Sequence, residues 1–338
     1  MRRWVKVSVA AAVVLGVGGY VAEPYAQDWL LARDACDGTL PPDALEQLTP
    51  EDAHLRDETS HLHEGLGSYS CRLTAEEAED GTGDDGRLVV GMEAYTRRDD
   101  QDREFMSIFP EEGFSPQASL PEGLPGFIDK YHDINFLLPC PDLGKDAEGR
   151  QRKLLVRMSL GREANHGAPG AAYRMAVALA NGASDRLGCG AEPLRAPAGD
   201  AVPPDPERDA ETVPLSEAKD TACGWMAGAG LPQDQGLRVA AAVNDAAPTG
   251  RCDLTDRDGK SALSLVAWYG DWSNRLTSRD GVPRSLTATA RCDGEAAGYA
   301  LGTSDDIPGV GEAVQRRLLK EFAEDQVRRR GCSGLRFF

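Results

Sequence analysis

The sequence predicts an α+β fold: an N-terminal transmembrane helix followed by two similar modules, each an antiparallel meander sheet with a packed helix. Three observations predict it. Between Ile134 and Cys189 two short apolar runs, INFLLPCPD and KLLVRMSLGR, precede the amphipathic AAYRMAVALANGASDRLGCG. The same order returns near the C-terminus as SLTATARCDG, EAAGYALGT and VGEAVQRRLLKEFAEDQVRRRGC. Before both copies, residues 7–22 carry no charge. The predicted organisation is therefore a cytoplasmic stub, anchor helix and juxtamembrane segment over 1–34, a first four-cysteine module over 35–192, a linker over 193–215, and a second module over 216–338.

Taken in order, MRRWVK leads into Val7–Ala22. A span takes roughly 20 residues, and Trp4 at the interface with a snorkelling Lys6 extends the usable segment to Trp4–Ala22. Arg2, Arg3 and Lys6 precede it, and Glu23 and Asp28 follow. The positive-inside rule then keeps the N-terminus cytoplasmic and exports the remainder. Small-x-small cleavage sites are poor, because Tyr20 stands two residues before Ala22 and Pro24 before Ala26. An uncleaved signal anchor in the plasma membrane is expected, with a secreted, cleaved form as the alternative.

A chain of 338 residues with 41% hydrophobic and 27% charged residues supports about two domains with their own cores. A net charge of -18 argues against nucleic-acid partners, whose phosphates it repels, and against adsorption on anionic lipid. Solubility is the plain reading of that surplus.

The eight cysteines are Cys36, Cys71, Cys140, Cys189, Cys223, Cys252, Cys292 and Cys332. An even count behind an export signal reads as disulfides. None lies within 29 positions of another, so neither a CxxC redox motif nor a local zinc knuckle is present. Four cysteines per copy leave three pairings in each. Adjacency favours first with second and third with fourth, since a strand followed by one more strand and a helix brings the helix end back to the first strand.

In copy one, Pro41-Pro42-Asp43 opens a short helix with Leu45 and Leu48 on its apolar edge. Tyr69–Thr74 and Leu88–Tyr95 form a hairpin around the acidic tip Glu76–Gly86. HLRDETSHLHEG reads as a polar connecting loop. After two further strands, Ala172, Ala176, Leu179, Ala183 and Leu187 place one helical face on the sheet, and Gly188 ends the helix. The Pro- and acid-rich linker is expected to be extended and mobile. In copy two, strands are expected near Arg251–Leu254, Ala262–Tyr269, Ser285–Cys292 and Gly298–Gly302, with a turn at Asp258-Gly259. Val310, Val314, Leu318 and Phe322 form the buried row of the closing helix. Arg328, Arg329 and Arg330 sit in its last turn, where cations complement the helix dipole.

Chemical motifs are sparse. Ser216-Glu-Ala-Lys219 matches S-x-x-K, but its K-T-G and S-D-N partners are missing and Ser216 serves as a helix cap. Asp256-Arg-Asp258-Gly259 resembles part of a calcium loop, yet Leu254 and Leu265 occupy the two terminal ligand positions. Asp80, Asp84 and Asp85 form an acidic tip whose plain reading is solvation. His61-x-His63, with His54 nearby, has metal-ligand residue types, but a polar loop explains them; His132 and His166 are scattered. No metal, cofactor or catalytic residue is expected. The segment Glu104–Phe127 is the one non-structural candidate: Phe105, Phe109 and Phe114 among prolines offer a surface for a partner. Its competing reading is that these rings cap their own sheet.

CDGTLPPDALEQL, LLPCPD and ALANGASDRLGCG give the chain from Ala35 to Phe338 a resemblance to exported or membrane-anchored actinobacterial proteins with a duplicated four-cysteine module. The shared motifs are structural, so the resemblance implies a compartment and no activity. The expected function is a membrane-anchored, extracytoplasmic, non-enzymatic protein that binds a protein or cell-envelope component. The alternative is an envelope hydrolase whose catalytic groups come from distant loops.

Overall fold

The computed structural model describes residues 27–49, 53–76, 87–109, 113–121, 123–161, 170–207, 212–232, 235–257, 261–279, 282–303 and 307–338. The expected anchor at Val7–Ala22, the acidic tip with Asp80, Asp84 and Asp85, His166 and the Asp258-Gly259 turn lie outside them. Among the described residues no helix is long and apolar enough to cross a membrane.

Module one begins with a 3₁₀ turn at Ala35–Gly38 and the helix α1 (Pro42–Leu48), whose Ala44, Leu45 and Leu48 are buried. Strands β1 (Leu55–His63), β2 (Ser68–Ala75) and β3 (Arg87–Tyr95) follow as an antiparallel meander. Helix α2 (Arg98–Ile108) leads to β4 (Gln117–Ser119), β5 (Gly126–Asp129), β6 (Ile134–Pro139) and β7 (Lys153–Leu160). Helix α3 (Ala171–Arg186) closes the module, and Gly188 takes the left-handed conformation, φ 61°, that ends such a helix.

Module two starts with β8 (Thr212–Pro214) and two 3₁₀ turns, then β9 (Arg238–Val243), β10 (Thr249–Thr255) and β11 (Ser261–Tyr269). The short α4 (Ser273–Thr277) and the two-residue hairpin β12 (Ser278–Arg279) and β13 (Val282–Pro283) precede β14 (Thr287–Cys292) and β15 (Glu295–Thr303). Helix α5 (Glu312–Arg330) and the edge strand β16 (Ser333–Phe337) complete the chain.

The α+β class holds, with helices packed on antiparallel sheets, but the sheets are larger than expected. Each has seven strands, ordered β1-β2-β3-β7-β6-β5-β4 and β16-β14-β15-β11-β10-β9-β8. Both contain one five-strand core, β1-β2-β3-β7-β6 matching β9-β10-β11-β15-β14. This is not a plain four-stranded meander: a final hairpin inserts its second strand beside the third strand of the meander. The missed strands are edges or near-edges. LRDETSHLH, read above as a loop, is the outer strand β1, and a charged, polar sequence is what protects an edge from pairing with another chain.

Alternation along the strands sorts side chains into three cores. In β7, Leu154, Val156 and Met158 join the α3 side, while Leu155 points the other way. In β11, Leu263, Leu265 and Ala267 join the α5 side, while Val266 and Trp268 point the other way. The outward-pointing sets meet, so the two sheets stack face to face with a helix outside each. The result is a four-layer α/β/β/α sandwich, and the segment expected to be an extended, mobile linker is in part packed against module one. The first part of the linker runs over module one: Asn181 Nδ2 donates to Leu194 O and Asn181 Oδ1 accepts from Leu194 N, and Gly170 N donates to Ala201 O. Its last residues become β8, paired with β9.

All eight cysteines are bridged within their modules, Cys36–Cys71, Cys140–Cys189, Cys223–Cys252 and Cys292–Cys332, the pairing favoured by adjacency.

Candidate binding groove

The aromatic residues of the Glu104–Phe127 segment do not form a free surface. Phe105 and Phe109 are 1% and 0% exposed. They sit on α2 and just after it, where they meet Trp268 of module two at ring-centroid distances of 5.3 and 4.4 Å, both edge-on. Phe105 also touches Trp272, and Phe109 touches Phe127. Phe114 is partly buried against the same cluster, and its carbonyl accepts from the Arg251 guanidinium of β10. The partner of these rings is therefore the second module. They do not cap their own sheet alone, because they share one cluster with Leu155 of the first sheet and Val266 and Trp268 of the second.

The signal for this docking was present but divided between the copies. The segment with Phe105 and Phe109 joins β3 to β6, and the segment with Trp272 and Leu276 joins the equivalent strands β11 and β14. Gly298 in β15 lets the second segment settle: a side chain there would meet the Ser273 carbonyl at 2.6 Å. Lys153 Nζ to Glu295 Oε2, at 2.5 Å, adds an ion pair across the modules. Asn244 Nδ2 adds hydrogen bonds to the carbonyls of Leu120 and Leu124.

Along one end of the sandwich, three clefts run together. The central one, about 470 Å³, lies between the start of α2 and the loop before β7, and Thr96, Arg97, Asp146, Ala147, Arg150 and Arg152 line it. A second, about 430 Å³, shares Thr96, Arg97 and Arg152 and extends past Gly65 and Leu143 to Arg186. A third, about 280 Å³, shares Lys153 with the first and continues into module two along Ala247, Tyr269, Glu295 and Arg330. The three are neighbours through these shared residues and together flank both modules. Their walls are braced: Gln101 Nε2 on α2 donates to the carbonyls of Tyr95 and Lys153, tying the ends of β3 and β7. Arg330, in the last turn of α5, stacks on Tyr269 at 3.6 Å and donates to the carbonyls of Asn244 and Ala247.

The carboxylates of the central cleft are mostly engaged. Asp146 accepts the backbone N–H groups of Glu148 and Arg150 at 3.0 and 2.9 Å and pairs with the Arg150 and Arg98 guanidiniums. Burial pushes its pKa up, but the Arg150 N–H and guanidinium outweigh burial and hold it below the usual range. Glu148 pairs with Arg150. Asp146 is thus charged scaffolding, poorly suited to proton transfer.

The carboxyls with raised pKa, Asp129 and Glu104, lie elsewhere. Asp129, wholly buried at the end of β5, is pushed up to about 6, first by burial and next by Asp133. It accepts from Tyr131 N, Asp133 N and Asn135 Nδ2, so it braces the turn between β5 and β6. Burial raises Glu104, with Glu93 adding to it, and Arg157 pairs with both Glu104 and Asp133. Arg157 also borders an open depression of about 430 Å³ over β1, β2 and β3, but Asp129, Asp133 and Glu104 do not line it.

The histidines divide too. His61 and His63 project from β1 with ring centroids 6.3 Å apart, while His54 Nδ1 engages Asp28 at 2.7 Å. His132 pairs with Asp205 of the linker at 3.1 Å. Among the described residues no group of three or more His, Cys, Asp or Glu side chains is arranged to hold a metal ion.

The fold and groove define a class: a disulfide-locked, four-layer sandwich built from two copies of one five-strand module. Comparison with family models, curated proteins and solved structures gave no match to this chain.

Proposed function

We propose that this is a membrane-anchored, extracytoplasmic, non-enzymatic protein that holds an extended cell-envelope polymer along the groove. The observation that carries the reading is the adjacency of three clefts that share lining residues along both modules, with walls fixed by hydrogen bonds and ion pairs. An extended ligand can use adjacent open clefts of this kind along its length. Four bridges suit the oxidising side of a membrane, and the uncharged Val7–Ala22 supplies the anchor. Asp146 in the central cleft is held by Arg98 and Arg150 as a charged brace, which supports binding over the hydrolase alternative.

Ala147→Trp tests the reading, because Ala147 is exposed in a turn and lines the central cleft. The full chain in detergent is expected to sediment with isolated cell walls, and the variant to remain in solution with an unchanged melting curve. Equal sedimentation of the two proteins would exclude the groove as the binding surface.

A further inference from the structure

Within that groove, and resting on its reading as a polymer site, we propose that Arg97 and Arg152 form an anion subsite for a phosphate group carried by the bound polymer. The two residues stand at neighbouring strand ends. Tyr95 of β3 pairs with Leu155 of β7, which sets Arg97, two residues after Tyr95, and Arg152, three before Leu155, at the same end of the paired strands. Both side chains line the central cleft and the cleft next to it. Both residues are exposed, so their charges meet solvent and any ligand.

Neither guanidinium has a carboxylate partner among the described residues. Arg97 Nη2 donates to the Gly65 carbonyl, which fixes the fork without neutralising it. Arg152 is held only through its backbone, its N–H donating to Gly144 O and its carbonyl accepting from Cys140 N. Arg98 and Arg150 are tied to Asp146, and Lys153 to Glu295. Asp99 is the opposing carboxylate of the central cleft, which still holds five cationic side chains against three acidic ones. A local positive excess on a chain of net charge -18 is a place built for negative charge.

The geometry favours phosphate over carboxylate. A carboxylate presents both oxygens on one edge and suits a single fork, whereas a tetrahedral phosphate can be approached by two forks from two walls. One fork comes from the β3–α2 corner and the other from the segment before β7.

The test uses the full chain in detergent, with Arg97→Gln/Arg152→Gln as the variant, and four probes: poly(glycerol phosphate), polyglutamate, a neutral β-glucan and inorganic phosphate. The expected result is binding of poly(glycerol phosphate) that weakens about 10- to 100-fold in the double variant, together with a shallower salt dependence. Affinity for polyglutamate equal to that for poly(glycerol phosphate) would overturn the phosphate assignment. Poly(glycerol phosphate) binding that Ala147→Trp abolishes and the double Gln variant leaves intact would overturn the subsite and leave the groove standing. Binding of no polymer, with inorganic phosphate still bound and released by the double variant, would support the subsite and remove the groove reading. Binding of neither phosphate nor any polymer would remove both.

Discussion

Removing one ring from the inter-module cluster tests the four-layer arrangement directly. Phe109 is fully buried and contacts Phe105, Phe127 and Trp268 at 5.2, 5.5 and 4.4 Å between ring centroids. Phe109→Ala deletes a buried aromatic side chain and leaves a cavity between two sheets. Buried Phe→Ala substitutions cost about 3–5 kcal/mol, and each lost aromatic pair accounts for about 0.5–1.5 kcal/mol beyond area. We expect a loss near the middle of the 3–5 range, because Trp268 and Phe105 touch directly at 5.3 Å and will only partly close the gap. The assay is guanidinium unfolding followed by tryptophan fluorescence, with Met106→Ala as the control. Met106 is one position from Phe105 on the same helix but 48% exposed, so its variant should change stability by less than about 0.5 kcal/mol. The Phe109 variant should also shift native tryptophan emission to longer wavelength, since Trp268 lies against the site. A loss below about 1 kcal/mol with unshifted emission would place Phe109 at a surface, and would refute the stacking of the modules.

Asp129 predicts a pH signature. Its carboxyl titrates near 3.9 in the unfolded chain and at about 6 in the folded protein, so between these values the folded state binds more protons. Stability from this group is therefore present below about pH 4 and is lost as pH rises to about 6. At Asp129→Asn the stability difference from the parent should change by about 2 kcal/mol between pH 4 and 7 in the variant's favour. Parallel stability–pH curves would contradict the buried assignment. Replacing Cys140 and Cys189 by serine opens a loop with a sequence separation of 49 and should cost about 4 kcal/mol in the loop-closure treatment. A denaturation midpoint unmoved by the double replacement would count against this bridge. Peptide mapping without reduction should recover four bridges, two in each module; a bridge between modules would contradict the pairing.

How much was legible depends on how far apart in the chain each signal lies. The closing helices showed through their period, with Ala172, Ala176, Leu179 and Ala183 of α3 all buried. The bridges could be reasoned out because each pair joins elements separated by only 29 to 49 positions. Edge strands failed for a physical reason. β1 is polar because one edge and one face are open, and β8 and β16 are too short, or too exposed, to alternate. The aromatic segment was noticed for the right property, apolar rings among prolines, and given the wrong neighbour. No local pattern relates Phe109 to Trp268, 159 positions later. The groove arginines gave no sequence signal at all, since Arg97 and Arg152 come to line the same clefts only through the pairing of β3 with β7.

The sequence by itself determined the duplication, the helix-on-sheet character of each copy and the disulfide framework, because each rests on periodicity or on contacts within one module. Only the tertiary structure decided that the copies share a core. Each sheet has two faces, and its helix covers one of them. The residues that cover the other come from inserted segments whose partners lie in the other copy, so neither copy alone specifies them. Only the third cleft follows from the same fact: residues of both modules line it, whereas the other two lie within module one.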